Sequence, residues 1–147
     1  MKIYIASSFS LTEKVTQVAE ILEAYGHTIT VRWWDRVFNV QGEGQVHTQE
    51  LKGRYEELDQ DTFYGKPEAY EAYITDFMGV KDADALVFVA ADEPRKYNGA
   101  TVELGLALGD NKPCFSLGQL EKSVLFYPVQ RCRNPQDLVE YLEVLAQ

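Results

Sequence analysis

The sequence predicts an α/β protein, a three-layer sandwich in which helices cover both faces of a five-stranded, mostly parallel sheet. Strand-like and helix-like stretches alternate along the chain, the pattern of a parallel sheet with helical crossovers. One of the strands, DALVFVAA at residues 84–91, is apolar throughout, as a strand buried on both faces must be. The 147 residues suit one core-bearing domain, with 46% hydrophobic and 25% charged residues.

KIYIAS at residues 2–7 is β-rich and opens the chain as the first strand. In SLTEKVTQVAEILEAYG, Ser10 and Glu13 have the S-x-x-E spacing of a capping box. Val15, Val18, Leu22 and Tyr25 then recur at helical spacing, and Gly26 is the stop. HTITVRWW at residues 27–34 is the second strand. Residues 35–66 hold four of the ten glycines and many polar side chains, with one helical piece in TQELKGRYEELDQ. A long irregular segment of this kind is a lid, a binding loop or an oligomer contact, so the chain is read as a single domain, 1–147, that carries it.

Pro67 opens a better helix over residues 68–81, with Tyr70, Tyr73, Ile74, Phe77 and Met78 on one face. After the buried strand, the chain becomes helical again over residues 100–108. KPCFSLG is the fourth strand and VLFYPVQ a shorter fifth. Asn134, Pro135 and Asp137 supply a cap, a first-turn proline and an early acid for the last helix, DLVEYLEVLA.

The net charge of −9 and the lack of a concentrated basic patch argue against a nucleic acid polymer or an anionic membrane as partner. A small neutral or modestly anionic ligand remains. Cys114 and Cys132 lie far apart beside apolar runs and read as buried thiols in a reducing cytoplasm. No signal peptide is read, and no apolar run approaches the roughly 18 residues of a membrane span.

Ligands of doubly wound sheets bind beyond the carboxyl ends of the strands. Here those ends are residues 6–9, 33–35, 90–99 and 116–118, and four groups of residues are candidates for chemistry. Glu103 is a lone carboxylate among Gly99, Ala100, Thr101, Val102, Leu104 and Gly105. Read in the first turn of its helix, it is a candidate nucleophile or base whose small neighbours let a ligand close; alternatively it only complements the helix dipole. Asp76 borders the apolar stripe of its helix and either points inward or is solvated. Ala6, Ser7, Ser8, Phe9 and Ser10 join small residues and hydroxyls to a helix start, which suits a phosphate or a sugar oxygen, or Ser10 merely caps the helix. Trp33 and Trp34 alternate across a strand, so one is core and the other is free to stack on a flat ring, or both are core. G-x-G-x-x-G and the P-loop pattern are missing. His27 and His47 are isolated, so no metal is expected, and neither supports a catalytic triad.

KIYIASSF, YITDFMGVKDADALVFVA and NGATVELGLALGDNKP together resemble the nucleoside 2-deoxyribosyltransferase family, which includes 2′-deoxynucleoside 5′-phosphate N-hydrolases. The resemblance covers a flavodoxin- or Rossmann-like core over residues 2–26 and 68–118 and leaves out 35–66. It implies double displacement at the anomeric carbon, moving 2-deoxyribose between nucleobases through a glycosyl-glutamate. Hydrolysis of the same bond in nucleosides or their 5′-monophosphates is the alternative. By the resemblance Glu103 is the nucleophile, Asp76 manages the proton on the nucleobase and Tyr4 orients the nucleophile. Where the transferases carry an aspartate for the sugar 5′ end, and the phosphate-preferring hydrolases a serine, this chain has Tyr97. Asp92 or Asn98, beside Gly99, then serves the 5′ group. The lack of an arginine in ASSFS favours a free nucleoside. The resemblance implies no cofactor and a homo-oligomer, at least a dimer. A different class, a non-catalytic nucleotide-sensing domain on the same fold, would bind deoxynucleosides without turnover.

Overall fold

The computed structural model describes all 147 residues. In chain order the elements are β1 (Lys2–Ala6), α1 (Thr12–Ala24), β2 (Thr28–Ile29), β3 (Val37–Val40), β4 (Gly44–His47), α2 (Thr48–Tyr55), α3 (Gln60–Tyr64), α4 (Pro67–Asp82), β5 (Ala85–Val89), α5 (Asn98–Gly109), β6 (Cys114–Leu117), β7 (Gln130–Cys132) and α6 (Pro135–Ala146). They form two compact units, Met1–Thr30 with Gly79–Gln147, and Val31–Met78.

The first unit holds a five-stranded sheet in the order β2-β1-β5-β6-β7, and every neighbouring pair is parallel. The sheet is thus wholly rather than mostly parallel. Strand β5 is buried at every position, as its unbroken apolar run requires. Register fixes the faces. Tyr4 pairs with Leu86 and Leu86 with Cys114, while Ala6 pairs with Phe88 and Phe88 with Ser116. These residues share one side, the side of α5, because Tyr4 reaches Glu103 there. Phe115 lies on the opposite side, against Tyr141 of α6 at 6.3 Å. Helices therefore cover both faces. No helix is long and apolar enough to cross a membrane.

Several boundaries differ from the sequence reading. The second strand ends at Ile29, and residues 33–35 turn as a 3-10 helix. Only Lys2 and Ile3 of β1 have partners on β2, so the chain leaves the sheet edge after two residues. Residues 124–126 are likewise a 3-10 turn with Val124 and Leu125 exposed, and the fifth strand begins only at Gln130. The Ser10–Glu13 capping box does not form. A 3-10 turn over Phe9–Leu11 precedes α1, and the hydroxyl that caps it belongs to Ser8. The expected stop holds, with Gly26 at φ +86. Asn134 accepts from the Asp137 amide at 2.9 Å, and Pro135 takes the first turn.

The second unit has more order than residues 35–66 promised. Strands β3 and β4 form an antiparallel hairpin whose turn uses Gly42 and Gly44 at positive φ. Phe38, Val46 and Leu51 are its buried centre, with Val40, Tyr55 and Ala72 packed on them. Tyr70, Tyr73, Ile74 and Met78 of α4 stay exposed.

Lys112, the lysine of the K-P ending, ties the C-terminal end of α4. Its ammonium donates to the carbonyls of Val80 at 2.8 Å, Ala83 at 2.6 Å, and Lys81. A cation on the unpaired carbonyls of a helix end satisfies them and opposes the helix dipole. Lys112→Met is expected to lower stability by about 2 kcal/mol, read as a reduced urea midpoint at unchanged slope. An unchanged midpoint would show that water caps that helix end as well as the ammonium does.

Candidate functional site

The strand order reverses between β1 and β5, since β2 lies on one side of β1 and β5, β6 and β7 on the other. Their carboxyl ends are where such sheets bind ligands. Ser7 bridges them, its hydroxyl donating to the carbonyl of Val89 at 2.6 Å. Ser8 caps the following turn, and its Oγ lies 3.0 Å from that of Ser10. Ala6 is buried, and Ser7, Ser8 and Phe9 are half-buried.

Glu103 and Tyr4 are joined directly: the Tyr4 hydroxyl donates to Glu103 Oε2. Tyr4 is fully buried in β1, so the phenol is a fixed donor, whereas Glu103 is half-buried. Glu103 does not lie in the first turn of its helix. Helix α5 begins at Asn98, two residues earlier than the spacing suggests, and its first turn contains no acid. The dipole acts mainly within that first turn, so Glu103 is held by side-chain contact with the phenol rather than by the helix end.

Asn98 and Gly99 open α5 and are exposed. A Cβ on Gly99 would meet no atom within 4 Å, so the backbone there borders open space. Asp92 is exposed and pairs at 3.5 Å with Lys14, whose ammonium also donates to the Ala90 carbonyl at 2.8 Å. Ser116, on the same sheet face as Tyr4, has a buried hydroxyl without a hydrogen-bond partner.

Tyr97 is an anchor. It is buried, its ring meets Phe88 edge-on at 5.1 Å, and its hydroxyl accepts from the Ala91 amide at 2.6 Å. Its own amide donates to Glu121 at 3.2 Å. Both ends of the 92–98 loop are thereby pinned. Gly118 closes the other side. It has φ +82, and a Cβ there would come within 2.2 Å of the Ala90 carbonyl oxygen.

The sequence reading missed two cations here. Arg95 reaches back from the 92–98 loop to donate to Ser10 Oγ at 3.1 Å, and also pairs with Glu93. Lys14 lies in the first turn of α1. Only the topology brings them to the end of β1, so no local motif marks them.

The second unit holds Asp76 and Trp34. Asp76 on α4 is half-buried, and its carboxylate Oδ1 accepts from Arg36. Burial pushes this carboxyl above its ordinary range, although the Arg36 hydrogen bond and charge pull it down. Trp34 is not at a strand end with a free ring. Both tryptophans are buried in the 3-10 turn, edge to face at 5.2 Å, and Arg32 lies over the Trp34 ring at 5.1 Å.

No family model and no curated protein matches the chain. Solved structures do. One is the 2-deoxyribosyltransferase of the psychrotolerant bacterium Bacillus psychrosaccharolyticus, 18% identical over 94% of this chain and 90% of that one, with a TM-score of 0.62. Another is a CMP N-glycosidase of Clostridium botulinum, 12% identical over 98% of this chain and 99% of that one, with a TM-score of 0.54. The chain shares their fold. The likeness drawn from the three sequence stretches is thus found again in the architecture, across nearly the whole chain.

The Tyr97 anchor carries a consequence. Tyr97→Phe leaves the ring against Phe88 but orphans the Ala91 amide, and is expected to cost about 1–2 kcal/mol in urea unfolding. A variant as stable as the parent would mean that the amide finds water instead.

Proposed function

We propose that the chain cleaves the N-glycosidic bond of deoxynucleosides by double displacement and passes the 2-deoxyribose to a second nucleobase. The observation that carries the reading is the Tyr4–Glu103 hydrogen bond at the carboxyl end of β1. A fixed donor on one oxygen orients a carboxylate, which suits a nucleophile. In the first step a Glu103 carboxylate oxygen bonds to C1′, and the bond from C1′ to the base nitrogen breaks. Its electron pair leaves with the base, which takes a proton from Asp76. The oxocarbenium-like state between these events is stabilised by the same carboxylate. In the second step the nitrogen of another base attacks C1′ and passes its proton to the Asp76 carboxylate, while the bond from C1′ to the Glu103 oxygen breaks and frees the Glu103 carboxylate.

The fold likeness to a 2-deoxyribosyltransferase supports this reading, as does the motif match around Glu103. Ser7, Ser8, Asn98 and Gly99 border the sugar in it, and Asp92 is a further contact for the 5′ group. The homo-oligomer implied by the resemblance belongs to the same proposal.

A second reading has its own support. If water takes the place of the second base, the protein is an N-glycosidase, as the Clostridium botulinum neighbour is for CMP. Arg95 bears on whether a 5′-phosphate is taken. It gives the Ser8–Ser10 turn the guanidinium that residues 6–10 lack, although Glu93 already offsets part of its charge.

Deoxyadenosine incubated with a different base separates the two, since an exchanged nucleoside marks transfer and free deoxyribose marks hydrolysis. Glu103→Ala is expected to lower either activity at least about a thousandfold with the fold intact. Activity near the parent's would end the proposed mechanism. Under the phosphate reading, Arg95→Ala is expected to raise KM for a deoxynucleoside monophosphate about tenfold and leave the free deoxynucleoside unaffected. Equal effects on both substrates would count against a phosphate contact.

A further inference from the structure

Arg36 is built into place more firmly than a surface partner needs to be. Its carbonyl accepts from both the amide and the hydroxyl of Thr48, at 2.8 and 2.7 Å. Thr48 is itself buried at the start of α2. The guanidinium lies over the Phe38 ring at 5.8 Å, and Phe38 is the buried centre of the hairpin cluster. Ala72 of α4 packs on that cluster, one turn before Asp76 on the same helix. Hairpin and helix therefore hold the two side chains against each other. The Arg36 side chain is 12% exposed and that of Asp76 is 31% exposed.

A pair this far from water loses much hydration and is weak evidence for stability. The contact is also one-sided. Arg36 is Asp76's hydrogen-bond partner, at Oδ1, while Oδ2 accepts no bond. A fork engaging both oxygens would have been the stronger clamp. No other charged side chain perturbs Asp76, and its helical neighbours Ala72, Tyr73, Gly79 and Val80 carry no charge at neutral pH.

We infer that Arg36 is a positioning residue for Asp76, gripping Oδ1 so that Oδ2 is the oxygen that carries and delivers a proton. This rests on the role of Asp76 in the proposed reaction and adds the residue that governs it. Two opposing effects meet at the carboxyl. Burial favours the protonated acid, and the guanidinium favours the carboxylate. An acid that must give up a proton and recover it needs both. Loss of the cation leaves burial unopposed, so the acid holds its proton to higher pH.

The test is R36Q, with R36K beside it and D76N as the control without a titrating carboxyl. In R36Q the descending alkaline limb of kcat/KM for base release is expected to move up by at least about one pH unit. In R36K, which keeps the charge, the limb is expected to stay near the parent's. D76N is expected to lose the limb and to fall about a hundredfold or more in kcat. Carboxyl carbon NMR of the free protein, with the Asp76 signal assigned by its loss in D76N, supplies a readout independent of turnover. It is expected to move in the same direction in R36Q. An unmoved limb in folded, active R36Q would overturn the inference and leave the proposed function standing, as would an R36K limb displaced as far as that of R36Q. Should the parent release no base from any deoxynucleoside, the functional reading falls, and an Asp76 signal titrating alike in parent and R36Q would then overturn the pairing too. If R36Q does not fold, R36K decides by the same profile, since a displaced limb despite the retained charge overturns the inference.

Discussion

Where β1 and β5 run out, the sheet must satisfy backbone groups that no strand pairs any longer. A buried amide or carbonyl left alone costs about as much as a lost hydrogen bond. The solutions here are side chains and one close approach. Ser7 takes the Val89 carbonyl, Lys14 the Ala90 carbonyl and the Tyr97 hydroxyl the Ala91 amide. The Gln119 amide takes the Ala91 carbonyl at 2.8 Å, which brings Gly118 so near Ala90 that no side chain fits. The same few residues that finish the backbone accounting thus give the strand ends their shape. Serine hydroxyls border the end of β1, and the Gly99 backbone at the start of α5 faces open space.

The Tyr4–Glu103 bond is a second outcome of that register. Parallel pairing puts Tyr4 on the α5 face, in line with Leu86 and Cys114. A phenol there is fully buried and needs a partner, and Glu103, in the second turn of α5, supplies one. Each side chain explains the other. The buried hydroxyl is satisfied, and the carboxylate among small residues has the partner that its setting demands.

The parts of the fold that the sequence disclosed are those set by local chemistry. The unbroken apolar run of β5, the Asn134–Pro135–Asp137 start of α6 and the Gly26 stop each follow from residues in immediate succession. Glu103 and the serines after β1 were singled out from type and position, and Tyr4 only through the family resemblance. The misreadings arose where tertiary context decides. Residues 27–34 have strand composition, but the edge of the sheet pairs only two of them, and the tryptophans are buried in a turn instead. Residues 124–129 are mostly apolar, yet 124–126 turn and the strand starts only at Gln130. Ser10 has the right spacing to cap, but Ser8 reaches the turn first. Tyr97 looked like a departure at a ligand position and is an anchor, since no pattern in the chain announces that Phe88 and Ala91 lie beside it. Residues 35–66 lacked clear periodicity because their core is only a few side chains wide.

The two carboxylates singled out from the sequence are held by chemically different partners, and the difference follows from where each sits. Glu103 meets a phenol, which can orient it but brings no charge to cancel it. Asp76 meets a guanidinium, without which its half-buried position would favour the protonated form still more strongly. A nucleophile must remain an anion, and a proton donor must be able to exist in both forms. In the proposed reaction such different environments would assign the two acids separate tasks. With a neutral phenol in place of Arg36, the burial of Asp76 would go uncompensated.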